Sequence, residues 1–159
     1  MRKIGFIRHA VYHSPEVNGG IVGNLGRIEA NFLAKSLRKR LSALETGSVK
    51  IISSPAGRAL GTAEIIASEL GAGNVATYSC LWSDRDNKED FTEINGVIEK
   101  EFDSESVLLV VSHADVVDEF TEEFLIRHGL LDEAMSFNGL RTAECAFIDL
   151  DENSLQLIL

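Results

Sequence analysis

The chain has 159 residues, 45% hydrophobic and 25% charged, a size that suits one domain with a full core and no disulfide staples. Two prolines and 13 glycines argue against a long disordered or linker tract. A net charge of −10 and a pI of about 4.8 disfavour long-range attraction to nucleic acid or an anionic membrane.

Residues 2–8 read as a short buried strand at the amino end. The basic start Met1-Arg2-Lys3 is followed by an apolar stretch that stops at Arg8-His9, too short for an export signal. No later apolar run reaches the roughly 20 residues of a bilayer span. Residues 9–24, with Pro15 and Gly19-Gly20, read as a loop, and Gly19–Gly26 as a flexible approach to the first helix. That segment lacks both the dinucleotide and the Walker glycine patterns. From 26 to 44, Ile28, Phe32, Leu33, Leu37, Leu41 and Leu44 fall at helical spacing. Val49–Ser53 is a second strand, followed by Ser54-Pro55 and a helix with Ala59, Ala63, Ile66, Ala67 and Leu70 on one stripe, stopped by Gly71.

Val75–Tyr78 is a third strand candidate, and the acidic stretch 82–90 a loop. Phe91, Ile94, Val97, Ile98 and Phe102 predict another helix. The uninterrupted apolar run Val107–Val111 reads as a strand buried on both faces, with a helix through Val116, Val117, Phe120 and Phe124 behind it. Thr142–Leu150 and Leu155–Leu159 are closing strands around a turn at Asp151-Glu152-Asn153. The alternation of strands and helices predicts an α/β fold of one domain over residues 1–159: a three-layer α/β/α sandwich around a mostly parallel sheet. Cys80 and Cys145 lack metal-ligand spacing and read as two reduced thiols of a cytoplasmic protein.

Ligands of open α/β sheets bind at the carboxyl ends of the strands. Here the first strand ends in Arg8-His9, the second in Ser53-Ser54-Pro55 with Arg58 one turn on, and the Val107–Val111 strand in Ser112-His113. Three strand ends thus deliver two arginines and two of the four histidines of an acidic chain. That set suits a phosphoryl group. Arginine offers a planar fork of donors that stays charged, and two of them can hold the oxygens of a transferring phosphoryl group. A histidine between them has its pKa lowered by the positive charge, stays neutral near pH 7, and can attack phosphorus. The second histidine can donate to the same oxygens. Ser53 and Ser54 read as turn and cap residues, and His13 and His128 as solvated.

In these blocks the chain resembles the histidine phosphatase superfamily, also called phosphoglycerate mutase-like. Arg8-His9-Ala10 stands where the family has Arg-His-Gly, and Gly26-Arg27-Ile28-Glu29-Ala30 where it has Gly-x-x-Gln-Ala. Ser53-Ser54-Pro55-Ala56-Gly57-Arg58-Ala59-Leu60-Gly61-Thr62-Ala63 matches its Ser-Ser-Pro block, and Val110-Val111-Ser112-His113 its strand ending in Ser-His. The resemblance implies a phosphatase with His9 as the nucleophile that becomes phosphohistidine. Arg8, Arg58 and His113 complete the phosphate pocket, Ala114 adds a substrate contact, and neither metal nor organic cofactor is used. The substrate is a phosphorylated small molecule or a phosphoprotein. In length the chain is similar to the short bacterial phosphohistidine phosphatases, which carry an aspartate where larger members carry the Glu proton donor. The corresponding loop here offers Asp84 and Asp86, with Glu89 behind them.

Three departures bear on activity. Ala10 replaces the family's glycine and would be strained if its backbone needed positive φ. Gly61 replaces the usual Gln. Asp115 stands where the family often has a glycine, and is expected to point outward and help start the helix. A mutase is disfavoured, because mutases shield the phosphoenzyme from water with segments that a chain this short lacks. The alternative of a different class is a weak or inactive phosphate- or phosphoprotein-binding regulatory module.

Overall fold

The computed structural model describes residues 2–44, 47–82, 91–103 and 106–159. In chain order it contains β1 (Lys3–Arg8), α1 (Asn24–Ala43), β2 (Ser48–Ser53), α2 (Gly57–Leu70) and β3 (Ala76–Thr77). A 3-10 turn at Ser79–Leu81 precedes α3 (Thr92–Glu101), β4 (Ser106–Ser112), α4 (Ala114–Arg127), α5 (Leu131–Ser136), β5 (Cys145–Asp149) and β6 (Ser154–Ile158). The six strands form one sheet in the order β3-β2-β4-β1-β5-β6. β3, β2, β4 and β1 run parallel, and β5 and β6 add an antiparallel margin.

The pleat of β4 explains its unbroken apolar run. Val107, Leu109 and Val111 point to one face of the sheet, where α1 and α2 cover them with Leu33, Leu37, Ala63 and Ile66. Leu108 and Val110 point to the other face, into a cluster with Ile94 of α3 and Val117, Phe120 and Phe124 of α4. With both faces covered, no position on the strand calls for a polar side chain. On the second face, Phe6 of β1 meets Phe120 and Phe124 edge-on, with ring centroids 5.3 and 5.4 Å apart. α2 ends as expected, with Gly71 in the left-handed region at φ 63°.

The predicted elements are present, and the structure adds α5, which lacks an apolar period: only Ala134 of its six residues is buried. No helix among the described residues is long and apolar enough to cross a membrane.

Three strands set the site. β1 lies between β4 and β5, and the ladder pairs Arg8 with Ser112 and Ser53 with Val111. The hydrogen bonds continue one residue further: the His9 N–H donates to the Ser112 carbonyl and the Ser54 N–H to the Val111 carbonyl, both at 3.0 Å. The sheet register itself therefore sets Arg8-His9, Ser54 and His113 side by side at one end.

Candidate active site

His9 is buried and held through its own backbone neighbour. Its Nδ1 lies 2.9 Å from the Ala10 carbonyl oxygen. A carbonyl only accepts, so Nδ1 carries the proton, and in the neutral ring Nε2 keeps its lone pair. The Arg58 Nε–H donates to that Nε2 at 3.3 Å, so the free nitrogen faces the arginine. His113 lies edge-on to His9 with 5.2 Å between ring centroids. Its Nε2 is 2.9 Å from the Ser54 hydroxyl, and its buried Nδ1 has no partner among the described residues. The Ser54 hydroxyl also accepts the Ala56 N–H, closing the turn into α2.

Both imidazoles are far less basic than usual. The His9 pKa falls from 6.5 to about 4, chiefly through burial and in lesser part through Arg58 and Arg8, against the Ala10 carbonyl and Asp115, which raise it. The His113 pKa falls from 6.5 to about 3, chiefly through burial and in lesser part through Arg58 and His9. Positive charge was the expected cause for His9; the fold makes desolvation the larger one, because His9 is only 6% exposed.

Arg8 and Arg58 are gripped by backbone. Arg8 Nη1 donates to the Leu140 carbonyl at 3.0 Å, while its buried Nε has no partner among the described residues. Arg58 Nη1 donates to the Gly19 carbonyl, and its guanidinium carbon sits 4.9 Å from the centre of the Tyr12 ring. The segment leading to α1 is therefore not a loose approach. It packs on the start of α2: the Gly57 N–H donates to the Asn18 carbonyl at 2.6 Å, and a Cβ on Gly57 would meet the Gly20 carbonyl oxygen at 2.3 Å. Tyr12 stands edge-on to His9 at 5.2 Å and Trp82 lies tilted to His113 at 6.3 Å, so aromatic rings flank the histidine pair.

Two expectations change. Ala10 is not among the residues at positive φ, so its methyl brings no backbone strain. Its N–H donates to Thr62 Oγ1 at 3.0 Å, and Thr62 in turn donates to the Arg58 carbonyl at 2.8 Å, tying the His9 and Arg58 segments together. Asp115 does stand in the first turn of α4. It is only half-exposed there, however, and its charge is felt at His9.

Arg8, His9, Arg58 and His113 are thus brought to one place. Ala114 follows His113 as the first residue of α4, where backbone N–H groups have no intrahelical acceptor. Asp84 and Asp86, with Glu89, lie outside the described residues. His13 and His128 are exposed. Sequence reading missed Tyr12, Trp82 and the contact of Ser54 with His113; only the placement of Ser54 directly after β2, opposite β4, carries a signal for it. Chemically, the cluster offers two guanidinium groups, a neutral imidazole whose unprotonated nitrogen faces one of them, and a second imidazole with a spare buried nitrogen.

No protein-family model and no curated protein matches the chain. Solved structures do. A protein histidine phosphatase SixA, solved with tungstate, is 16% identical, with a TM-score of 0.67 over 98% of this chain and 96% of that one. A mycobacterial glucosyl-3-phosphoglycerate phosphatase complexed with VO3 is 17% identical, with a TM-score of 0.61 over 99% and 96%. A phosphoglycerate mutase from Plasmodium falciparum is 24% identical, with a TM-score of 0.56 over 98% and 87%. The chain has the phosphoglycerate mutase-like fold that these proteins share.

Proposed function

We propose, on the premise of this fold and of the four side chains gathered at its strand ends, that the chain is a phosphatase that forms a phosphohistidine on His9. The observation that carries the reading is the state of His9: Nδ1–H engaged by the Ala10 carbonyl, and Nε2 unprotonated, its lone pair turned to Arg58 and accepting the Nε–H of that guanidinium. In the first step Nε2 attacks phosphorus, and the bond from phosphorus to the leaving oxygen or nitrogen breaks with its electron pair. Arg8, Arg58 and His113 hold the phosphoryl oxygens as charge redistributes among them. An acid, for which Asp84 and Asp86 are the candidates, protonates the leaving group. Water then attacks phosphorus, the P–N bond breaks, and phosphate leaves with His9 restored. The two guanidinium groups supply the positive charge and the neutral His113 a hydrogen-bond donor in this scheme, so no metal is required.

Two of the structural neighbours act, by name, on a phosphohistidine protein and on a phosphorylated sugar acid, and both were solved with an oxyanion that mimics phosphate. They support a phosphomonoester or a protein phosphohistidine as the substrate. The alternative of a non-catalytic binding module drew on Ala10 and on the unassigned proton donor; Ala10 is not at positive φ, and Asp84 and Asp86 lie outside the described residues.

The test is to incubate the protein with a 32P-labelled substrate and quench it. Acid-labile label retained by wild type and absent from His9→Ala supports the reading, and turnover unchanged by EDTA supports the metal-free scheme. Equal hydrolysis by wild type and His9→Ala overturns it. Isomerised product in place of released phosphate would show a mutase.

A further inference from the structure

We propose that Asp118, which no motif singles out, is the positioning residue for Arg8, acting through the backbone of Leu140. The inference rests on the phosphate-binding role of Arg8 given above.

Asp118 lies on α4, on the turn after His113 and Ala114. Its Oδ1 accepts the Leu140 N–H at 2.9 Å, and the carbonyl of the same Leu140 accepts Arg8 Nη1 at 3.0 Å. The loop rests directly on the carboxylate. Gly139 sits at φ 81°, and a Cβ there would lie 2.8 Å from Asp118 Oδ2. The same segment also holds the backbone of Arg8: the Arg8 N–H donates to the Glu144 carbonyl at 3.2 Å, and the Ala143 N–H donates to the Arg8 carbonyl at 3.0 Å. Residues 140–144 are therefore a clamp around Arg8, and Asp118 pins that clamp to the helix that begins at His113.

The consequence is mechanical. One Nη donor fixed on a carbonyl sets the plane of a guanidinium and leaves its other donors for a phosphate. Asp118 thereby couples the placement of Arg8, from β1, to the helix that carries the second histidine. Without it, the Leu140 carbonyl is free to drift and the guanidinium plane drifts with it. A misplacement of about 1 Å in a site of this kind lowers rates by as much as about 10²-fold.

The experiment is a double-mutant cycle on tungstate affinity, measured by calorimetry, with kcat and KM on an aryl phosphate alongside. Asp118→Ala is expected to weaken tungstate binding about tenfold in wild type and to have no further effect in Arg8→Ala, since a coupled pair is non-additive. Asp118→Asn, which keeps an Oδ1 acceptor for the Leu140 N–H, is expected to restore affinity to within about threefold of wild type. Gly139→Ala pushes the loop off the carboxylate without touching its charge, and is expected to show the same Arg8-dependent loss should Asp118→Ala fold poorly. Wild-type affinity in Asp118→Ala, or an equal loss with and without Arg8, overturns the proposal. A wild type that binds tungstate but turns over no aryl phosphate removes the phosphatase reading and leaves the cycle to decide this one. A wild type that binds no tungstate removes both.

Discussion

Acidification is expected to destabilise this fold through its two site histidines. In the folded chain His9 titrates at about 4 and His113 at about 3, against 6.5 for an unperturbed imidazole. Each folded value is depressed, so below 6.5 the unfolded chain binds more protons than the folded one, and stability falls with pH. The loss begins near 6.5 and is complete only below about 4 for His9 and about 3 for His113. Between about pH 7 and about pH 5, linkage gives a loss of about 2 kcal/mol for each histidine, about 4 kcal/mol together. That is a large share of the roughly 5–15 kcal/mol that holds a domain folded. The assay is urea denaturation at both pH values, on wild type and on a His9→Gln/His113→Gln variant. Carboxylates titrate alike in both proteins, so the difference between the two pH slopes isolates the imidazoles. Equal slopes would refute the burial argument. The same depression keeps the His9 lone pair available across mildly acidic pH, so protonation of the nucleophile will not limit turnover until about pH 4.

Two further substitutions probe the backbone around His9. Thr62→Val preserves shape but removes the acceptor of the Ala10 N–H, which is 3.0 Å away and buried; a loss of about 1–3 kcal/mol is expected from denaturation midpoints, and an unchanged midpoint would contradict it. Ala10→Gly restores the residue of the resembled family, yet Ala10 is not at positive φ, so kcat/KM is expected to stay level while stability drops by about 1 kcal/mol. A large gain in kcat/KM would show that the alanine does constrain the site.

The layers were legible because burial on both sheet faces leaves a visible trace, as in Val107–Val111. α5 left none: Leu131 and Met135 face solvent, Met135 at 87% exposure, so no apolar stripe marks it. The four candidate residues were legible because each ends or directly follows a strand, or sits one turn beyond it, inside a run of recognisable neighbours. Their supports were not. Asp118 reaches Arg8 only through a loop that comes later in the chain, and Tyr12 and Trp82 close on the histidines only once the 14–20 segment docks on α2. Sequence also shows where charge is but not how deep it lies, which is why the depression of His9 was ascribed to arginine before burial. The backbone angle of Ala10 was likewise beyond reach, since residue identity restricts φ without fixing it.

His9 directly follows β1, and both neighbours of that strand come late in the chain. β1 is flanked by β4 and β5, and the bond from His9 to Ser112 joins the ninth residue to the last third of the chain. A ribosome adding 5–20 residues per second leaves Ile4-Gly5-Phe6-Ile7 without sheet partners for on the order of ten seconds. During that interval the nascent chain displays an apolar segment that other chains can capture. Co-expressed holdase chaperones are therefore expected to raise the soluble yield of this protein.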